Sequence, residues 1–403
     1  MLIRGIGDQI KRRRIWGFIK PSYRDYCLSN LPSTILKFFN IKTKRPTLPK
    51  SLIKNIDLSG ISKVVLLLFD ALNYDSWKRI CMNYKFFNDI TRKGTVVPIT
   101  SVFPSSTAPA LATISTGLTP QEHTLIEWYM YIEEIDAIIE TIPLKPIENR
   151  TLNIKPQILF KGKTVCQQLK KEGIKSFSFR SSLYASSLYT QRVNKGSKIV
   201  PFVNLSDLVV NLRKLVENER GHVYFNVYWD RLDSLQHKYG VNSEEKEVEI
   251  SALSYLLLKN FVRKLSKDAA KETLLVIVAD HGQIKITSKT IYLNYHKRLI
   301  ENLRVGGRMK RILPVGGMRD VFLFVKADRV EKTKEILEEK LRGKAKIVES
   351  KVAVKHELFG VSRIRKKLYN RVDDIIILPY NNYTVWYEYE KKKSPNFTVS
   401  TEV

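Results

Sequence analysis

KVVLLLFD, residues 63–70, decides the fold. After Lys63, six consecutive apolar residues run into a carboxylate, with no polar alternation. Such a run suits a strand covered on both faces, as in a parallel sheet. Two further runs have the same character, VYFNVYW at 223–229 and TLLVIVAD at 273–280, and TVVPIT at 95–100 reads as a weaker strand. Between them, residues 244–266 carry Leu253, Leu256, Leu257 and Phe261 at helical spacing. Strands alternating with helices give an α/β fold: a mostly parallel central sheet with helices on both faces and inserted smaller α/β or cap segments.

Working outward, residues 1–60 are basic and broken by Pro21, Pro32, Pro46 and Pro49, which reads as an irregular N-terminal extension. Residues 61–320 form the α/β core, with an insertion near 118–220. Residues 321–372 read as a small α/β insert: a strand in DVFLFVK, a helix over 334–342 and a strand in KIVES. Residues 373–403 hold the last strands, DIIILPY and TVWYEYE, and a tail.

The charge balance is unusual. Among 403 residues, 69 Lys and Arg face 40 Asp and Glu, for a net charge of +29. A field of that sign gathers anions, so a small phosphoester or nucleotide substrate fits, and nucleic acid or an anionic membrane surface is also admitted as a partner. Hydrophobic residues make up 43% of the chain, which excludes global disorder. Cys27, Cys81 and Cys166 have no paired spacing, which excludes a disulfide scaffold or zinc ribbon and suits a reducing interior. No stretch reads as a signal peptide or a membrane span, and the expected compartment is the cytoplasm.

Three buried runs end in acid. Asp70 ends the first, Asp230 and Asp233 follow the second with His237 four residues beyond Asp233, and Asp280 and His281 end the third. Ligands in open α/β sheets bind beyond the carboxyl ends of the strands, so these side chains are expected at one edge. Taken singly, each carboxylate reads as a helix cap or turn former. Together, carboxylate and imidazole make a donor set for Zn²⁺ and similar ions. FPSSTAPALATISTG, residues 103–117, adds a hydroxyl: Thr107 reads as an N-cap, with Pro109 in the first turn and Gly117 ending the helix. A hydroxyl there sits where backbone N–H groups favour a phosphate, although it needs a base or metal to become a nucleophile.

These segments resemble the alkaline-phosphatase superfamily and, within it, the type I phosphodiesterase/nucleotide pyrophosphatase family. LLLFDAL, VFPSSTAPALATISTGLTPQEHTL, WDRLDSLQHKYG and VADHGQ occur in that family's order over residues 63–285. The resemblance implies a metal-dependent phosphoester hydrolase with Thr107 as catalytic nucleophile. It implies one metal on Asp70, Thr107, Asp280 and His281 and a second on Asp233 and His237, the ions roughly 4 Å apart. The cofactors implied are two divalent ions, zinc first, with manganese or magnesium as alternatives. The family mechanism is in-line attack by Thr107, a covalent phospho-threonine, and hydrolysis.

Two departures bear on that expectation. The family places a third histidine on the second metal. Here His296, His356 or no side chain at all stands for it. Ala110 stands where many nucleotide pyrophosphatases carry an asparagine that binds a phosphate oxygen. Besides phosphodiesterase chemistry, the alternatives are therefore a phosphomonoesterase of the superfamily, or a weakened member binding polyanions. His123 matches a family histidine that is not a ligand. Trp128, Tyr129 and Tyr131 are candidates for stacking on a substrate, with core packing as the competing role.

Overall fold

The computed structural model describes residues 3, 5–52, 58–286, 290–389 and 399–401. Its central sheet contains β1 (Lys63–Phe69), β2 (Lys175–Ser181), β3 (Lys198–Phe202), β4 (Val223–Trp229) and β5 (Thr273–Val278). All pairings are parallel, in the spatial order β5-β1-β4-β2-β3. Both β1 and β4 are buried throughout, as their unbroken apolar runs require, whereas β5 lies at the sheet edge and is half-buried. Alternation within β4 supplies two cores at once. Phe225, Val227 and Trp229 face one, with Leu253, Leu257 and Phe261, while Tyr224 and Tyr228 face the other.

The helix α1 (Leu31–Phe38) fills that second core with Leu31, Ile35 and Leu36. The N-terminal segment is thus packed structure over much of its length, with Tyr23 donating to the Leu358 carbonyl and accepting from the Phe103 amide. Residues 1, 2, 4 and 53–57 of the expected extension lie outside the described residues.

A second sheet of seven strands is antiparallel throughout. It joins Tyr129–Ile132, Ala137–Glu140 and Lys145–Pro146 from the first insertion to Val315–Gly316, Val321–Leu323, Ala345–Glu349 and Ile375–Pro379. The two regions read separately from sequence therefore build one layer. Between the sheets lies α2 (Thr107–Thr116): Ala108 and Ala112 face the second sheet's core, Ala110 and Ile114 the central one. Small side chains on both faces let the helix be buried on both.

Four local expectations differ from the structure. Residues 95–100 form no strand. Thr100 makes an isolated bridge to Cys27, and Pro98 has no N–H to offer a ladder. The long helix stops at Leu256 and continues as a π-turn, Leu257–Phe261. The helix expected over 334–342 spans Val330–Lys340. Only Val385–Trp386 of TVWYEYE is strand, and residue 390 lies outside the described residues, as do 391–398, 402 and 403 of the tail. Val399–Thr401 pairs antiparallel with Gln283–Lys285, directly after the Asp280-His281-Gly282 turn.

Candidate active site

Three adjacent strands, β5, β1 and β4, end at one edge, and their carboxyl ends deliver the acids. Asp70 is the residue after β1 and is 2% exposed. Ala71 then turns into the left-handed region at φ 59°, and its N–H donates to Asp280 Oδ1 at 3.1 Å. A Cβ-bearing residue in that region costs on the order of 1 kcal/mol, a strain commonly held at functional sites. The second Asp280 oxygen, Oδ2, lies 3.6 Å from His281 Nε2.

Thr107 is the first residue of α2, and Ser106, extended at φ −125°, is the N-cap in its place. Being already helical, Thr107 does not spend its hydroxyl on capping. Oγ1 lies 3.0 Å from His281 Nε2, and the same nitrogen is 3.3 Å from Asp70 Oδ1. Nδ1 of His281 sits 3.0 Å from the Gly282 carbonyl, so its N–H is donated there and the Nε2 lone pair faces the cluster. Four side chains from three stretches of chain therefore converge on one point.

The helix α3 (Arg231–Tyr239) presents the other pair one turn apart, with His237 Nε2 3.4 Å from Asp233 Oδ1. Gln283 donates to the same Asp233 oxygen. Ligand atoms of Asp70, Asp233 and His281 all lie within 4.8 Å of one another, so the two pairs form one continuous cluster. Asp230, although adjacent in sequence, is outside that group.

The electrostatics state what the cluster lacks. Burial pushes the Asp70 carboxyl well above the usual carboxylate range, and the charges of Asp280 and Asp233 push it further. Burial would lower His281, but Asp280 and Asp233 outweigh it and raise its pKa. Burial would raise Asp233, but the His237 hydrogen bond and the charges of His237 and His281 bring it down. Asp70 Oδ1 and Asp280 Oδ2 are buried without a hydrogen-bond partner among the described residues. Converging carboxylates, two orphaned oxygens and a directed imidazole lone pair suit a divalent cation.

Other residues fall elsewhere. His296 stands at the N-cap position of Lys297–Asn302, His356 packs edge-on against Trp16, and neither joins the cluster. His123 is fully buried, between the Thr113 hydroxyl and the Leu125 amide at 3.0 Å each, and burial lowers its pKa to about 3, so it is neutral and structural. Tyr129 packs against Trp386 and Tyr389, and Tyr131 against Phe324, inside the second layer. Trp128 is half-buried beside Glu127.

Sequence reasoning passed over Tyr228, which donates to Asp70 Oδ2, along with Gln283 and Glu127. Glu127 is 2% exposed, and burial pushes it up to about 7 although the Ser106 hydroxyl facing it draws it down. A tyrosine on a buried strand was the available signal, because a buried phenol needs a partner.

Comparison with known proteins gives the chain's relatives and its fold. Human ectonucleotide pyrophosphatase/phosphodiesterase family member 1 is 27% identical over 210 residues, 51% of this chain and 22% of the relative. The Mus musculus protein of that name is 26% identical over 212 residues, again 22% of its length, so the matched part spans about a fifth of these relatives. Among solved structures, an inactive form of murine ectonucleotide pyrophosphatase/phosphodiesterase 5 in complex with AMP superposes with a TM-score of 0.63 at 15% identity, covering 85% of this chain and 84% of that one. The human counterpart gives 0.56 at 15% identity, over 84% and 83%. The profile of the type I phosphodiesterase/nucleotide pyrophosphatase family matches residues 64–401. On that match the chain belongs to the type I phosphodiesterase/nucleotide pyrophosphatase family, within the alkaline-phosphatase superfamily.

Proposed function

We propose that the chain hydrolyses phosphodiester or phosphoanhydride bonds through Thr107. The observation that carries this reading is the 3.0 Å approach of Thr107 Oγ1 to His281 Nε2 among Asp70, Asp280 and Asp233. Asp70, Thr107, Asp280 and His281 would hold one divalent ion, Asp233 and His237 a second, with zinc favoured by the mixed carboxylate and imidazole donors. When bound, such ions supply positive charge that lowers the pKa of the threonine hydroxyl and neutralises the phosphoryl oxygens.

The chain's own residues do the rest. The α2 N-terminus directs its first backbone N–H groups at the phosphoryl group, next to the nucleophile. Oγ1 forms the bond to phosphorus as the bond to the leaving oxygen breaks. Water then cleaves the Oγ1–P bond and restores Thr107. His281 is kept in one orientation by Gly282, and Asp233 by Gln283, so little reorganisation accompanies attack. The AMP complex of the solved relative favours a nucleotide substrate. Ala110 leaves the phosphate without the asparagine of many family members. Three free, buried cysteines favour a reducing compartment, and no helix among the described residues is long and apolar enough to cross a membrane.

Replacing Thr107 with Ala should reduce hydrolysis of a chromogenic phosphodiester, in Zn²⁺ or Mn²⁺, by about a thousandfold or more. Equal rates would end the proposal. Faster turnover of the matched monoester would move the substrate class to monoesters. Salt-dependent DNA binding without metal uptake would support the polyanion-binding alternative.

A further inference from the structure

Beneath the candidate site lies a charge with no obvious counter-ion. Arg180, on β2, is 6% exposed. Its guanidinium donates to the Phe179 carbonyl at 2.7 Å, the Asn226 carbonyl at 3.0 Å and Asn194 Oδ1 at 2.6 Å. All three acceptors are neutral, and among the described residues no carboxylate lies within ion-pair distance of it. Burying a cation this way costs several kcal/mol, and a methionine would fill similar volume without that cost.

The guanidinium stacks over the Tyr228 ring, 5.8 Å from its centroid. Tyr228, itself 8% exposed, donates its hydroxyl to Asp70 Oδ2. The other Asp70 oxygen is left without a hydrogen bond, 3.3 Å from His281 Nε2. A cation over the ring face withdraws charge from the phenol and makes its O–H a stronger donor. A carboxylate gripped on one oxygen can rotate only by losing that bond.

Resting on the metal-site reading above, we propose that Tyr228 and Arg180 are positioning residues for Asp70: the phenol holds Oδ2 so that Oδ1 is presented to the ion at Thr107, and the buried guanidinium strengthens that grip. A phenylalanine at 228 would pack equally well and could not do this. The arrangement is the hydroxyl counterpart of the carboxylate or carbonyl that orients a metal-ligating histidine.

The test compares wild type with Tyr228→Phe, Arg180→Met and Arg180→Lys, titrating the metal-free proteins with Zn²⁺ and Co²⁺ by calorimetry. Tyr228→Phe should weaken the tighter site about ten- to a hundredfold and alter the visible absorption of the cobalt protein. With metal saturating, kcat for the diester should fall more than KM rises. Arg180→Met should shift affinity in the same direction by less, and Arg180→Lys should restore much of the loss. Wild-type affinity and an unchanged cobalt spectrum in Tyr228→Phe would overturn the inference. Should Tyr228→Phe fail to fold, equal affinities in Arg180→Met and Arg180→Lys would overturn it. If wild type takes up neither ion, the metal-site reading falls and this inference with it. Uptake by wild type with no change in the variants defeats this inference alone.

Discussion

Glu127 shows how far a single buried group can bias the molecule. Burial raises its carboxyl to about 7, and next to it burial and the Glu127 charge hold Asp320 well above the usual range. Each folded pKa lies above its unfolded value, so their contribution is fully present below the unfolded carboxylate range. For Glu127 it is lost as pH rises through about 7. Glu127→Gln removes the Glu127 part of that loss. Between about pH 5 and pH 8, the metal-free variant should lose less thermal stability than wild type, by on the order of 1–3 kcal/mol. Parallel pH profiles for the two proteins would contradict this. Residues of the cluster were legible where they end buried runs or carry motif spacing, as with Asp70, Thr107, Asp233, His237, Asp280 and His281. Tyr228 was not, because its partner Asp70 is 158 positions away and nothing local marks the pairing. Glu127 was hidden for the same reason: only the folded chain sets it against Asp320 and Ser106.

Among elements, α2 is the one on which the site depends. Alanines on both faces let it lie between two cores, and Gly117 ends it at φ 71° with its N–H on the Thr113 carbonyl at 2.7 Å. A Cβ at Gly117 would meet the Pro32 Cβ at 3.3 Å as well as adopt a left-handed conformation. Gly117→Ala should therefore cost about 1–2 kcal/mol, read as a lower denaturant midpoint with an unchanged slope. An unaltered midpoint would show that α2 ends without help from that glycine. The helix and its glycine terminus were legible because Pro109 and Gly117 are position-specific signals. That Ser106 rather than Thr107 occupies the N-cap position was not, since only backbone φ and ψ separate the two neighbours. Strands β1, β4 and β5 were legible from continuous apolar runs, while 95–100 misled because its β-branched residues outweighed Pro98.

For the whole molecule, the parallel sheet and the edge that carries the acids followed from pattern, and the second layer did not. Its strands come from two regions separated by the central core, and antiparallel pairing across that distance leaves no local periodic mark. The N-terminal segment looked irregular because prolines interrupt it, yet Leu31 and Ile35 are buried behind the central sheet, where composition gives no hint of a docking partner. The cluster of acids lies in a protein whose net charge is +29, so it stands within a positive field of the sign that draws anions. That picture rests on cations being held between the acids and Thr107. Anomalous diffraction at the zinc edge, from crystals equilibrated with Zn²⁺, tests it most directly. The account predicts a strong peak about 2 Å from both Asp70 Oδ1 and His281 Nε2, within bonding reach of the Thr107 hydroxyl, and a second at Asp233 and His237. Zinc density confined to surface histidines, with none at Asp70 and His281, would contradict it.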